Sequence, residues 1–373
     1  MQGSFKVGTV AGIEIRVHSS WLVAFVFIAW SLAVGYFPNT NAALSRGTDW
    51  VLGIAGALLL FASVLVHELG HSVVARARGL RVENITLFIF GGVSSIAKEA
   101  TSAKTEFLVA VVGPLISLAL AVLFWFVAQF VPPDSPSAAL ANYLGFANLG
   151  LGVFNLVPGF PLDGGRVLRA IIWATTGDMG RATRIASYVG QAVAFAIITW
   201  GAVRVFDGDV VGGLWIAFTG WFLNTGAEAS RQQATARAAL EGVPVTRVMD
   251  RRPEAASPAL SLNDFVLEYA LRRGQRALPI VQDGRLVGLV SITDAKHVGQ
   301  RRWATTPVGD VMTHMPLKIL TPESDLSAAL ELMVNAGVHQ LPVVQHGVLV
   351  GMLSRGDLMR YLQFGREQQR SAA

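Results

Sequence analysis

The chain contains no cysteine. That excludes disulfides, iron–sulfur clusters and thiolate metal sites, so any metal it binds is held by His, Asp or Glu. Charge is scarce as well. Charged residues make up 15% of the 373-residue chain against 52% hydrophobic residues, too apolar for an ordinary soluble protein and indicative of partial embedding in a membrane. Lysine is rarer still, five among 30 basic residues, and this Arg-, Ala- and Gly-rich usage points to a GC-rich bacterial genome. The net charge of +5 does not single out nucleic acid, because much of the excess falls in short loops between apolar runs, where membrane orientation accounts for it. No nucleic-acid partner is expected. The scarcity of charge is uneven: long uncharged stretches fill the chain up to about residue 225, whereas Arg, Asp and Glu are spread normally from Arg231 onward. Two regions with different solvents are implied.

Residues 5–18 alternate apolar and polar side chains around Val10-Ala11-Gly12, the pattern of a short β-hairpin. The apolar run 21–37 has neither a preceding basic cluster nor an Ala-x-Ala cleavage site, so it reads as a retained helix and not a signal peptide. Further spans are expected at 51–75, 107–131, 139–157, 185–206 and 210–225, each near the roughly 20 residues needed to cross hydrocarbon. The fold class is therefore a multi-pass α-helical membrane protein of about six helices. Basic residues sort by loop: Arg76, Arg78, Arg81, Lys98 and Lys104 follow the second helix, Arg166, Arg169, Arg181 and Arg184 the fourth, and Arg231 and Arg237 the sixth. By the positive-inside rule these loops and both termini are cytoplasmic, in the plasma membrane of a bacterium. Residues 84–96 are β-branched and aromatic with a Gly91-Gly92 break, which suits strands. A small sheet at the cytosolic surface is expected there, joined with the N-terminal hairpin, and its open edge would accept an extended peptide; a simple packing loop is the alternative.

The second helix ends in Val66-His67-Glu68-Leu69-Gly70-His71. Four residues apart on a helix, His67 and His71 share a face and can grip one Zn²⁺, with Glu68 beside it as general base. Such a short pattern is only suggestive in a soluble helix. Inside an apolar run, an acidic side chain opposes insertion by up to roughly 2.5–3.5 kcal/mol at the bilayer centre, which makes a functional role the default reading over a polar helix interface. A catalytic zinc needs a third protein ligand and an open position. The fourth helix ends in Asn155-Leu156-Val157-Pro158-Gly159-Phe160-Pro161-Leu162-Asp163-Gly164-Gly165-Arg166, at the same cytosolic depth, and Asp163 is the candidate. Asp-Gly-Gly after proline is also ordinary turn chemistry.

Together, His67-Glu68-Leu69-Gly70-His71, the later Gly91-Gly92 and Asn155-x-x-Pro158-x-x-Pro161-Leu162-Asp163-Gly164 resemble the site-2 protease family of intramembrane metalloproteases. The resemblance implies that His67, His71 and Asp163 bind one zinc ion, that Glu68 is the catalytic glutamate, and that Asn148, Asn155, Gly91 and Gly92 help position a membrane-spanning protein substrate for regulated intramembrane proteolysis. Leu87-Phe88-Ile89-Phe90 precedes Gly91 where many members carry proline, a departure that bears on the shape of that loop.

The C-terminal part repeats itself at an offset of about 63 residues. Val248-Met249 matches Val311-Met312, Leu278-Pro279-Ile280-Val281 matches Leu341-Pro342-Val343-Val344, and Asp294 matches Asp357. Each copy reads helix, strand, Gly turn, strand, helix, and the pair resembles tandem CBS domains. That resemblance implies a cytosolic α/β module with clefts for an adenine nucleotide, in which Ser291, Asp294, Ser354 and Asp357 form Ser-x-x-Asp elements that bond ribose, and a homodimer through the module; a pure dimerisation module is the alternative. His297, His314, His339 and His346 read as surface or packing residues. The expected organisation is a membrane metalloprotease domain over 1–226, a helical linker over 227–242, CBS repeats over 243–305 and 306–366, and a tail over 367–373. Competing functional classes are a CBS-regulated transporter or channel and a non-catalytic membrane scaffold.

Overall fold

The computed structural model describes residues 3–40, 44–89, 91–96 and 100–371. Phe90, within the expected strand region, and Lys98, one of the orienting basic residues, lie outside the described residues. The chain divides into two units, Met1–Ala234 and Thr235–Ala373.

The first unit opens with β1 (Ser4–Val10) and β2 (Ile13–His18), joined at Ala11-Gly12, both with positive φ. Helix α1 (Ser20–Ser31) continues through a π-helical turn (Leu32–Tyr36) into α2 (Phe37–Thr40). Helix α3 (Arg46–Ala77) starts where the Ser45 hydroxyl accepts the Thr48 N–H, and its 32 residues span about 48 Å at 1.5 Å per residue. Then come β3 (Val82–Phe88), β4 (Gly91–Ile96), α4 (Ala103–Ala128), α5 (Pro136–Asn155), α6 (Asp163–Thr176), α7 (Met179–Phe206) and α8 (Val210–Leu240). Among the described residues five helical stretches are long and apolar enough to cross a membrane: Ser20–Thr40, Arg46–Ala77, Ala103–Ala128, Pro136–Asn155 and Met179–Phe206. The sixth expected span is the first half of α8. The expected helical linker over 227–242 continues α8, which runs unbroken to Leu240, because Ala-, Gln- and Arg-rich residues beyond Ala227 propagate a helix and Gly226 is tolerated inside it.

Four strands form one sheet in the order β1-β2-β3-β4. The hairpin pairs antiparallel, β2 runs parallel to β3 with Ile15 opposite Ile85, and β4 returns antiparallel to β3. In β2 every second residue is buried, the period a half-covered sheet requires. Ile13 and Ile15 of this face and Ile85 of β3 pack on Leu65 and Leu69 of α3, the first just before the His-Glu-x-x-His run and the second within it. This contact lays the sheet beside the site.

Helices α1, α3, α4 and α5 approach closely through small residues. A Cβ on Gly53 would stand 2.6 Å from the Ala29 carbonyl oxygen, and one on Gly152 would stand 2.9 Å from Leu118. Such contact supplies dispersion where lipid removes the hydrophobic drive between helices.

The second unit holds two copies of one motif. The first has a helical segment (α9, Leu262–Asp264, continuing as π-helical Phe265–Arg272), β5 (Ala277–Gln282), β6 (Arg285–Ser291) and α10 (Ile292–Lys296), with β7 (Thr313–His314) added to its sheet. The second has α11 (Leu326–Asn335), β8 (Gln340–Gln345), β9 (Val348–Ser354) and α12 (Arg355–Ser371), whose backbone carries helix into the expected tail. Each copy has its own apolar core, one around Phe265, Leu278 and Ile280, the other around Leu326, Leu341 and Val343.

Candidate metal centre

His67 and His71 lie on one face of α3, both 3% exposed, and their Nε2 atoms are 3.1 Å apart. Asp163 Oδ2 stands 3.1 Å from each. The three atoms therefore form a nearly equilateral triangle. Tetrahedral zinc with bonds of about 2.0–2.1 Å separates its ligands by about 3.3 Å, so a small outward adjustment seats the ion.

The proton positions support the same fit. His71 Nδ1 meets the Val109 carbonyl oxygen at 2.6 Å; a carbonyl only accepts, so Nδ1 carries the proton and Nε2 offers a lone pair. His67 Nδ1 is bonded to Ser117 Oγ at 2.9 Å. Anchoring the far ring nitrogen in this way is how metal-binding imidazoles are usually oriented. Lone pairs and a carboxylate oxygen aimed at a common point repel one another unless a cation sits between them. The donor set fits a divalent metal.

Helix α4 supplies the back wall. Val109, Gly113 and Ser117 recur every four residues on one face, offering a carbonyl, a bare backbone and a hydroxyl. A Cβ on Gly113 would fall 2.2 Å from His71 Nε2 and 2.7 Å from His67 Nε2, so no side chain fits. The next residue, Pro114, removes an N–H from the helical ladder at this level.

Asp163 is the first residue of α6, and the loop before it is built by glycines. A Cβ on Gly164 would strike the Val157 carbonyl oxygen at 2.3 Å, and one on Gly165 the Gly159 carbonyl carbon at 2.3 Å. The chain thus folds back on itself and turns into a helix at Asp163. The same loop meets two further helices: Gly159 against Gly190 of α7, and Pro161 against Gly226 of α8.

Glu68, half-buried, lines the same cavity as His67, His71 and Asp163, about 700 Å³ in volume. The Ser94 hydroxyl of β4 donates to Glu68 Oε2 at 2.7 Å. A Cβ on Gly92 would meet Glu68 Cγ at 2.5 Å, so the Gly-Gly break lets β4 lie directly over the glutamate. Gly91, Gly92 and Asn155 line the cavity. Asn148 does not; it is fully buried, donates to Ser63 Oγ and the Leu144 carbonyl, and ties α5 to α3 one turn before His67. Sequence reading missed Ser94, Gly113, Ser117 and Glu106. Glu106, 1% exposed at the start of α4, accepts from Arg166 Nε at 3.0 Å and from Arg169. Burial lowers the Arg166 pKa and the Glu106 carboxylate more than restores it, so the guanidinium stays cationic. The signal for this pair was an acid at the head of an apolar run and two arginines one turn apart after Asp163.

The Ser-x-x-Asp elements of the second unit sit at helix starts. Ser291 N–H and Oγ–H both donate to Asp294 Oδ2 in a capping box at α10. Ser354 and Asp357 repeat this at α12, where Arg360 also binds Asp357 Oδ1.

The two glycines separate binding from chemistry. Gly113→Ala is expected to reduce zinc from about one per chain to near none, by elemental analysis, although no donor is changed. Gly92→Ala should keep the metal and abolish peptide hydrolysis by displacing Glu68. Full metal content in Gly113→Ala would show that the helices do not hold this approach.

Comparison with known proteins places the chain. The profile of peptidase family M50 matches residues 55–141 and 133–197, and that of the CBS domain matches 245–299 and 308–363. Rip3 of Mycobacterium tuberculosis, provisionally named a zinc metalloprotease, is 36% identical over 99% of this chain and 95% of its own length. The zinc metalloprotease MJ0392 of Methanocaldococcus jannaschii is 28% identical over 96% of both chains. A solved site-2 protease from the same archaeon is 29% identical, covers 61% of this chain and 95% of its own, and superposes with a TM-score of 0.43. With full-length identity of this order to Rip3 and both profiles matched, the chain belongs to peptidase family M50 and carries a pair of CBS domains.

Proposed function

We propose that the chain is a zinc-dependent endopeptidase of regulated intramembrane proteolysis, cutting membrane-spanning proteins near the cytosolic face of a bacterial plasma membrane. In this reading 1–226 forms the protease, both termini are cytoplasmic, His67, His71 and Asp163 hold the metal, and Glu68 is the proton carrier. The observation that carries it is the convergence of three potential ligand atoms, each 3.1 Å from the others, beside a cavity-facing glutamate in an apolar bundle. Zinc, when bound, supplies Lewis acidity, acidifying water and polarising a carbonyl. Glu68 takes the proton of the attacking water and returns it to the departing amide nitrogen. The Ser94 hydroxyl holds the carboxylate at Oε2, and among the described residues no hydrogen bond engages Oε1. Asn155 and the β4 glycines shape the wall against which the substrate lies.

A helical substrate must unwind before cleavage, since its carbonyls are hydrogen-bonded. Strand β4 ends the described sheet, lines the cavity and offers one unpaired edge, so an unwound segment can add as a fifth strand. For the second unit the reading is an adenine-nucleotide sensor that also brings two chains together. Asp294 suits ribose better than Asp357, whose second oxygen is held by Arg360.

Purified wild type should contain about one zinc per chain and cleave a defined membrane-spanning peptide; Glu68→Gln should keep zinc and lose cleavage, and Asp163→Ala should lose both. Zinc-free wild type would return the chain to the transport or scaffold classes. Val93→Pro should slow cleavage of a helical membrane-spanning peptide far more than that of an extended one, and equal slowing would exclude strand addition. Saturating AMP or ATP should shift the cleavage rate of wild type and not of Asp294→Ala; an unchanged wild-type rate would remove the sensor role.

A further inference from the structure

Among the described residues the cavity is lined by one cation that neither the metal ligands nor the proton carrier explains. Arg166 stands one helical turn after Asp163 on α6 and faces the same cavity as Glu68 and Asp163. Its side chain is 26% exposed while that of its partner Glu106 is 1% exposed. Guanidinium is a planar fork of five N–H groups, and here only the Nε edge is engaged, on Glu106 Oε1 at 3.0 Å. Among the described residues the Arg166 Nη groups have no hydrogen-bond partner. Arg169 binds the same Glu106 oxygen from the next turn and does not line the cavity.

This division of labour is unlike a simple helix clamp. Burying a carboxylate has a desolvation cost, and apolar packing joins two helices as well or better. A carboxylate that fixes one edge of a guanidinium and leaves the other edge free in a cavity holds a donor in place before the reaction needs it. Resting on the hydrolytic reading of this site, we propose that Arg166, oriented by Glu106, binds the carbonyl oxygen of the scissile peptide and stabilises the charge that forms on it. As the water oxygen bonds to the carbonyl carbon, the C=O π pair moves onto oxygen, the water proton passes to Glu68, and Arg166 Nη–H groups donate to that oxygen. The pair then returns to the carbon–oxygen bond, the C–N bond breaks, and Glu68 delivers the proton to nitrogen. Arg166 is the substrate-contacting group and Glu106 a positioning residue. Lysine at 166 would not serve, because a single ammonium does not span Glu106 and the substrate at once.

The test uses full-length protein in detergent, a membrane-spanning peptide, separate kcat and KM, and zinc measured in each preparation. Arg166→Ala is expected to lower kcat by about 10²–10³-fold, the loss seen when one preorganised oxyanion donor is removed. KM should move less than about threefold and zinc should stay near one per chain, since the interaction is made in the transition state. Added guanidine should restore part of the rate, and Arg166→Lys should remain slow. Glu106→Gln should lower kcat by about tenfold alone and add nothing in the Arg166→Ala background, the non-additivity of two residues that act as one. An unchanged kcat in Arg166→Ala, a loss borne only by KM, or loss of zinc would overturn the proposal. Zinc-loaded wild type that leaves the peptide intact would instead overturn the hydrolytic reading on which it rests.

Discussion

Two imidazole nitrogens and a carboxylate oxygen at mutual contact are the arrangement around which the membrane unit is organised. Placing His67, His71 and Asp163 at 3.1 Å from one another requires α3 and the start of α6 to meet at a point, with α4 close enough behind to leave no room for a side chain. Each surrounding feature answers that requirement. Gly113 removes a Cβ, Val109 and Ser117 hold the outer ring nitrogens, and Gly164 and Gly165 let the chain double back so that Asp163 opens a helix. The helix N-terminus also favours the negative charge placed on it.

Much of this was legible because membrane insertion penalises charge. An imidazole pair and a glutamate at helical spacing in an apolar run mark a candidate metal site, and the strand alternation of 5–18 and the β-branched run after residue 83 mark the sheet. Beyond the joining of hairpin and sheet and the approach of Asp163 to the histidines, relations between elements distant in sequence could not be read. Nothing in β2 or β3 announces that they pair parallel across the long α1–α3 crossover. Gly113 looked like one more glycine in a membrane helix, and its meaning appears only when two imidazoles are placed against it. Asn148 is the converse case: a polar residue on a membrane helix near the site, placed beside substrate from family pattern, has its amide on Ser63 of a neighbouring helix.

The second unit shows how one short pattern serves two ends. Ser-x-x-Asp at the end of a strand is a helix cap by its own chemistry, reciprocal bonds satisfying backbone donors that would otherwise face no partner. The cap alone accounts for Ser291, Asp294, Ser354 and Asp357. A ligand role is therefore an addition to a structural one, and the two copies differ in how much carboxylate they leave for it: Asp357 is bonded at both oxygens, Asp294 at one.

Charge balance links the buried ion cluster to the metal. Glu68, Asp163 and Glu106 face Arg166 and Arg169 within one region of low polarity, leaving a single net negative charge that a divalent ion turns positive. Without Arg166 the cavity would present two carboxylates to an approaching carbonyl and repel the charge that must form there. Without Glu106 the arginine would be drawn to Asp163 or Glu68, the groups to which the proposed function gives the metal and the proton. A buried acid next to two arginines thus keeps the cation off the reacting carboxylates while leaving it beside them. Apolar residues at 106 could pack the same helices, but only an anion there resolves the competition for Arg166.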